Sequence, residues 1–273
     1  MGATKILFNF SKDIQITEET FVVLVSGIDT YGKISSISRS DVNIIAVVNP
    51  VQAKILLISI PRDYYVPIMS GGSSIGRGEG QMDKLTHTGL FGPQCTMNTL
   101  EELFDIPIHY FVRVNFTSVV DIVDAIGGVT VQSDYAFGEF GVGPNECDGK
   151  KALSFARERY AFIDGDRQRG KNQMKIIEAI VGKLSNPTLE YDYLQLFQAV
   201  GDCVETNIPD ADIKELIQFQ INNMPKWSME TTSVNGSDGK DYSYYGGKNL
   251  YVMYPEQTSI DAAKERIRSV YFD

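Results

Sequence analysis

The sequence predicts a single α/β domain, with a mixed central β-sheet and helices on both of its faces. Three observations carry that reading. Short, β-branched apolar runs that stop at glycine, at Asn-Pro or at charged residues read as buried strands. Longer stretches with apolar residues three and four apart read as amphipathic helices. The two kinds alternate along all 273 residues, with no internal repeat and no clear linker. Helices packed on both faces of a sheet leave that pattern.

Each element has its own signal. Phe21–Ser26 is an apolar strand that stops at Gly27. Val42–Val48 and Ala53–Ile60 are two more, and the Asn49-Pro50 turn between them predicts an antiparallel hairpin. Met69–Gln81 is rich in Gly and Ser and reads as a loop. Thr96–Phe104 reads as a helix with Thr96 as its N-cap. Tyr110–Val114 alternates like a strand, Ser118–Ile126 reads as a helix stopped by Gly127-Gly128, and Val129–Gln132 as a strand. Phe137–Gly149 is Gly-rich and loop-like. Met174, Ile177, Val181 and Leu184 share one helix face, which Asn186-Pro187 ends. Helical stretches follow at Tyr193–Val204 and Ala211–Asn222. Asn235–Lys248 is polar and Gly-rich, and Leu250–Tyr254 is a strand. Ser259 is expected to cap a last helix, with Ile260, Ala263, Ile267 and Val270 on one face. Residues 1–20 read as a lead-in, opening on a Met-Gly-Ala-Thr that looks like a cloning remnant. Residues 21–273 then form the domain, and its motifs fall within 21–184.

Composition excludes several classes. Lys and Arg number 25 against 35 Asp and Glu, a formal charge of −10. That argues against a non-specific nucleic-acid binder, which needs a broad basic surface. Three cysteines are too few for a disulfide scaffold and lack metal spacing. No run of about 18 apolar residues would span a bilayer. Phosphate-binding glycine loops, a G-x-S-x-G elbow and H-E-x-x-H are all absent. His87 and His109 are the sole histidines and read as structural or surface residues.

The chemistry concentrates in three places. Four of the ten arginines, Arg157, Arg159, Arg167 and Arg169, fall within thirteen residues. A planar, permanently charged fork suits phosphate oxygens better than an ammonium does. Asp166, Arg169 and Gln173 stand at i, i+3 and i+7, one stripe at the start of a helix. Taken alone, the segment could equally be an exposed salt-bridge network. Charged residues also sit at three strand ends: Asp29 after the first, Arg39 and Asp41 before the second, Arg62 and Asp63 after the third. Sheet ends are where α/β proteins hold ligands. Carboxylates and arginines together there suggest a divalent cation bridging phosphates, with Asp29 and Asp41 as oxygen ligands.

These residues resemble the LytR-CpsA-Psr family of bacterial cell-wall glycopolymer ligases. The matching stretches are V-S-G-I-D at Val25–Asp29, R-S-D at Arg39–Asp41, L-I-S-I-P-R-D at Leu57–Asp63 and K-L-T-H at Lys84–His87. Tyr110–Gly128, A-L-S-F-A-R-E-R-Y and D-G-D-R-Q-R-G-K-N-Q complete the ordered set. The resemblance implies a phosphotransferase. It would move a glycopolymer with one phosphate from a polyprenyl-diphosphate carrier to an N-acetylmuramic acid hydroxyl of peptidoglycan. The wall polymer could be teichoic acid, capsule or another polysaccharide.

By the same resemblance, Arg62, Arg157, Arg159 and Arg169 would hold the diphosphate, and Arg39 and Gln173 would support it. Asp29 and Asp41 would serve a Mg2+ ion, directly or through water, and one of them would act as general base. Asp166 would position the arginines, with Arg167 as a further supporting member. Asp29, Asp41, Arg62 and Arg169 would be the catalytic set. Ile28 departs from the family's usual small polar residue before the first aspartate. The lipid tail would lie in an apolar tunnel between sheet and helices. Family members carry an N-terminal transmembrane helix, so the chain reads as an extracytoplasmic, membrane-anchored fragment without it. That setting permits a Cys95–Cys147 disulfide. Two other functions use the same residues: a polyprenyl-diphosphate hydrolase, and a binding module for anionic lipids or polymers without turnover.

Overall fold

A computed structural model of the chain describes residues 8, 11, 13–32, 34, 38–71, 78–162, 165–184 and 204–272, without side-chain placement at 166 and 167. In chain order the strands are β1 (Phe21–Gly27), β2 (Val42–Asn49), β3 (Lys54–Ile60), β4 (Tyr65–Pro67), β5 (Met82–Lys84), β6 (Tyr110–Val114), β7 (Val129–Ser133), β8 (Gly143–Cys147), β9 (Val204–Thr206), β10 (Ser228–Ser233), β11 (Gly236–Ser243) and β12 (Lys248–Pro255). The helices are α1 (Leu85–Thr88), α2 (Pro93–Phe104), α3 (Phe116–Ala125), α4 (Gly149–Arg157), α5 (Gly165–Leu184), α6 (Asp210–Asn223) and α7 (Gln257–Phe272).

Six strands form the central sheet in the order β10-β3-β2-β1-β6-β9. β1 pairs antiparallel with β2 and parallel with β6, and β10 lies parallel to β3. The sheet is therefore mixed. The alternation of β1 sends Val22 and Leu24 into one core and Phe21 and Val23 into another. The first core is closed by α2 (Met97, Leu100, Phe104) and α7 (Ile260, Ala263, Ile267, Val270). Met174 and Ile177 of α5 and Leu216 of α6 lie on the opposite face. Helices thus cover both faces, as the sequence predicts. A smaller core joins α3, α4, α5 and the β7–β8 pair.

The predicted β2–β3 hairpin is present in full register, Asn49 opposite Lys54 and Asn43 opposite Ile60. Several expectations are corrected. α2 begins at Pro93 with Gly92 at its N-cap, because proline is pre-set for the first helical turn. Thr96 is inside that helix, and its hydroxyl lies 2.8 Å from that of Thr88. α3 starts two residues before the predicted Ser118, with Asn115 and Ser118 closing a capping box. Ser259 lies within α7, and its hydroxyl accepts the Asn235 N–H at 2.8 Å. The loop-like segments 137–149 and 235–248 contain β8 and β11. Cys95 and Cys147 are free, buried thiols. They belong to different parts of the fold, Cys95 on α2 with its thiol donating to the Met69 carbonyl, Cys147 in the α3–α4 core. The Cys95–Cys147 pairing is therefore not formed. The predicted helix 193–204 and Cys203 fall outside the described residues, apart from Val204, which opens β9.

Candidate active site

Strand directions bring the charged segments to one edge of the sheet. β1, β3, β6 and β10 end there and β2 begins there. Gly27 faces Val42, and Ser59 faces Ser233, so Asp29, Asp41 and Arg62 emerge side by side. Gly27 has to be glycine: a Cβ there would stand 2.7 Å from a Val42 methyl.

Asp41 is fixed by its neighbours in the R-S-D motif. The buried Ser40 hydroxyl lies 2.7 Å from the Ser26 hydroxyl and donates to Asn43 Oδ1 at 2.6 Å. The Asn43 amide donates back to the Ser40 carbonyl at 3.0 Å, and the Asp41 N–H donates to the Gly27 carbonyl at 2.8 Å. Arg62 Nη1 then donates to Asp41 Oδ1 at 2.8 Å, and the Thr86 hydroxyl approaches the same oxygen at 3.3 Å. Asp63 pairs with Lys84 at 2.8 Å and lies 3.6 Å from Arg62 Nε. Both ion pairs are largely withdrawn from water, so their charges are weakly screened.

The second half of the site comes from α4 and α5. Asp148 caps α4 by accepting the Lys151 N–H. The helix ends at Arg157, and Glu158 turns to extended backbone. Buried Asn172 of α5 donates to the Phe155 carbonyl at 3.2 Å and accepts from Gln168 at 3.0 Å. This tie holds the start of α5 against the end of α4, where the arginines emerge.

A cavity of about 1030 Å³ opens between these parts. Asp41, Arg62, Arg159, Arg169 and Gln173 all line it, and so does Lys84. Of the predicted residues, these are the ones that converge. Arg157 faces an adjoining depression of about 680 Å³, where Nη1 donates to the Tyr31 hydroxyl at 2.9 Å and the guanidinium stacks 4.2 Å from the Phe116 ring centroid. Asp29 and Arg39 face a third, smaller depression of about 340 Å³ that shares Asp41 with the main cavity. Asp166 and Arg167 belong to the first turn of α5, and their side chains lie outside the description.

The donor set bears on the implied metal. Among the described residues no group of three or more His, Cys, Asp or Glu could hold an ion. Asp29 and Asp41 instead offer two carboxylates on one depression beside the arginine cavity. That fits Mg2+, which is usually held by one or two carboxylates plus substrate phosphates rather than by an all-protein cage.

Both histidines are structural, as expected. His109 Nδ1 accepts the Val22 N–H at 2.9 Å. His87 Nδ1 lies 2.8 Å from Asp83 Oδ1. Asp63, noted at its strand end, belongs here too, as do residues that sequence reasoning did not single out: Lys84 lies within a quoted motif, whereas Asp83, Ser243 and Tyr245 carried no such signal.

Comparison with known proteins places this geometry. The chain is 35% identical over 206 residues to the polyisoprenyl-teichoic acid–peptidoglycan teichoic acid transferase TagU of Enterococcus faecalis, covering 73% of this chain and 65% of that protein. It is 36% identical over 203 residues to TagU of Bacillus subtilis, covering 72% and 63%. The matches thus span less than two thirds of these relatives' length. The crystal structure of B. subtilis TagV superposes with a TM-score of 0.75 at 25% identity, over 93% of this chain and 98% of that one. The profile of the LytR_cpsA_psr family matches residues 4–269, nearly the whole sequence. The chain belongs to the LytR-CpsA-Psr family.

Proposed function

We propose that the chain transfers a glycopolymer with one phosphate from a polyprenyl-diphosphate carrier to a hydroxyl of peptidoglycan N-acetylmuramic acid. The observation that carries this reading is the convergence of Arg62, Arg159, Arg169 and Gln173 on one cavity beside Asp41. The transferase names of the relatives point the same way. Phosphoryl transfer asks for positioning and charge neutralisation more than for a protein nucleophile.

In this reading the three arginines hold the diphosphate oxygens. The acceptor hydroxyl attacks the sugar-bearing phosphorus. An O–P bond forms to the acceptor, the bond to polyprenyl phosphate breaks, and the leaving group stays held by the arginines. The acceptor's proton passes to Asp41 or Asp29. Mg2+ bound by these aspartates would supply further neutralisation of the phosphoryl oxygens. Val25, Val42, Ile55, Val112, Ile177 and Met229 on the α5–α6 face are only partly buried, which supports that face as the seat of the prenyl chain. No helix among the described residues is long and apolar enough to cross a membrane. Membrane attachment and an extracytoplasmic site of action rest on the family resemblance.

The test uses a synthetic polyprenyl-diphosphate disaccharide and purified peptidoglycan. Wild-type protein attaches the disaccharide phosphate to the wall and releases polyprenyl phosphate. Asp41→Ala and Arg62→Ala abolish attachment. Survival of attachment in both variants overturns the mechanism. Release of the disaccharide phosphate into water without attachment identifies a hydrolase, and binding without release a non-catalytic module.

A further inference from the structure

Asp41 is a wall shared by two cavities. On one side lie Arg62, Arg159 and Arg169. On the other is the depression of about 340 Å³, at the small end of ligand pockets. Its polar rim is Asp29, Thr30, Ser38 and Arg39, and its apolar surface is Leu90 and the ring of Tyr245. An apolar wall beside a rim of carboxylates, hydroxyls and one guanidinium is the complement of a pyranose, whose C–H face is apolar and whose edge is hydroxyls.

Tyr245 is held as a rigid wall although half of it is exposed. Its N–H donates to Asp83 Oδ2 at 2.7 Å. The ring lies 5.4 Å from that of His87 and meets Phe91 edge-on at 6.3 Å. Asp83 is fully buried and also accepts from Ser243 Oγ at 2.7 Å and the Lys84 N–H at 2.7 Å. One carboxylate thereby pins the end of the β11–β12 hairpin to the segment that carries Lys84 and Thr86. A side chain fixed in this way loses little conformational freedom on meeting a ligand.

We infer that this depression is the acceptor subsite, and that Tyr245 is the platform on which an N-acetylated hexosamine ring of the peptidoglycan glycan stacks. The inference rests on the transferase reading and deepens it. An in-line displacement needs its two oxygens on opposite sides of the phosphorus, and Asp41 is a residue that both cavities share. An acceptor hydroxyl entering over Tyr245 reaches Asp29 and Asp41 without crossing the arginine cavity. Tyr245 is here a specificity-determining contact, not a proton carrier.

The test separates acceptor from donor. Tyr245→Ala raises the KM for soluble, uncrosslinked peptidoglycan strands about tenfold and leaves the KM for the lipid-diphosphate disaccharide within about twofold. Tyr245→Phe and Tyr245→Trp, which keep a ring, restore the acceptor KM. Thermal melting of each variant shows whether the fold is intact. An unchanged acceptor KM in Tyr245→Ala, or an equal rise for donor and acceptor, overturns the inference. A second readout needs no turnover: saturation-transfer NMR of the N-acetylglucosamine–N-acetylmuramic acid disaccharide on the whole chain. The signal falls in Tyr245→Ala and persists in Tyr245→Phe; an undiminished signal in Tyr245→Ala refutes the subsite. Absence of transfer by the wild type refutes the transferase reading instead, and the NMR comparison then decides the subsite alone.

Discussion

Arg62 is the side chain that links Asp41 to the Asp63–Lys84 pair. It leaves the end of β3, donates to Asp41 on the β2 side and lies against Asp63, which in turn holds Lys84. A guanidinium can do this and still present donors to a phosphate, because its five N–H groups point in fixed, divergent directions. An ammonium keeps the charge and loses the fork. Arg62→Lys is therefore expected to lower kcat/KM for the lipid-diphosphate donor by about a hundredfold, comparable with losing one oxyanion donor. Its melting temperature stays close to wild type, because the ammonium keeps the charge opposite Asp41. Steady-state kinetics beside thermal melting check both halves. Near-wild-type turnover by Arg62→Lys would mean that charge alone suffices and that the fork geometry is irrelevant. Arg157 differs in kind: stacked on Phe116 and bonded to Tyr31, it is held one cavity away from Arg62 and Arg159.

At the scale of elements, the Asp83 knot is the joint between the β11–β12 hairpin and the segment that carries Lys84 and Thr86. Burial pushes its carboxyl up, but donors from His87, Tyr245, Ser243 and Lys84 outweigh that and hold it below the ordinary aspartate value. A carboxyl depressed in the folded state contributes stability that is complete above its unfolded pKa, near 3.9, and is lost as pH falls through the lower folded value. Asp83→Asn should therefore cost about 2–4 kcal/mol at pH 7, since it leaves buried donors mismatched. The difference from wild type should narrow as pH drops below about 4. Urea unfolding between neutral and acid pH measures it; a gap independent of pH would show that Asp83 acts as a neutral acceptor. None of this joint was legible in the sequence, because Asp83 and Ser243 are 160 positions apart. β10, reading S-M-E-T-T-S, escaped for a different reason: an edge strand with little apolar content has no strand signature until it pairs with β3. β1, β2 and β3 were legible because both faces are covered, which forces continuous apolar runs, and β6 was legible by its alternation. Asp29, Asp41 and Arg62 followed from those strand ends. The cysteine pairing failed because an oxidising setting says nothing about which core a side chain enters.

For the whole molecule, the question is how a chain of formal charge −10 would attract the diphosphate of the proposed donor. The charge is sorted. Arg62, Lys84, Arg159, Arg169, Lys171 and Lys175 line the main cavity against Asp41, Asp63, Glu178 and Asp238, so its local balance is positive while the envelope is negative. The two fields have opposite signs for an approaching anion and different reach. The envelope acts over a Debye length, about 10 Å at 0.1 M salt, whereas contacts inside the cavity act over a few ångströms and are partly shielded from ions. If near contacts dominate, salt weakens binding by screening the arginines and by competition of chloride for them. If the envelope dominates, salt strengthens binding by suppressing repulsion. The convergence of three arginines favours the first case. Inorganic pyrophosphate, titrated calorimetrically without lipid or sugar, should bind about fivefold more weakly at 0.5 M than at 0.05 M NaCl. Arg169→Gln should flatten that dependence, because it removes one of the screened charges. Tighter binding at high salt would assign the dominant field to the acidic envelope, and the arginine cavity would then be poorly suited to select a doubly phosphorylated carrier.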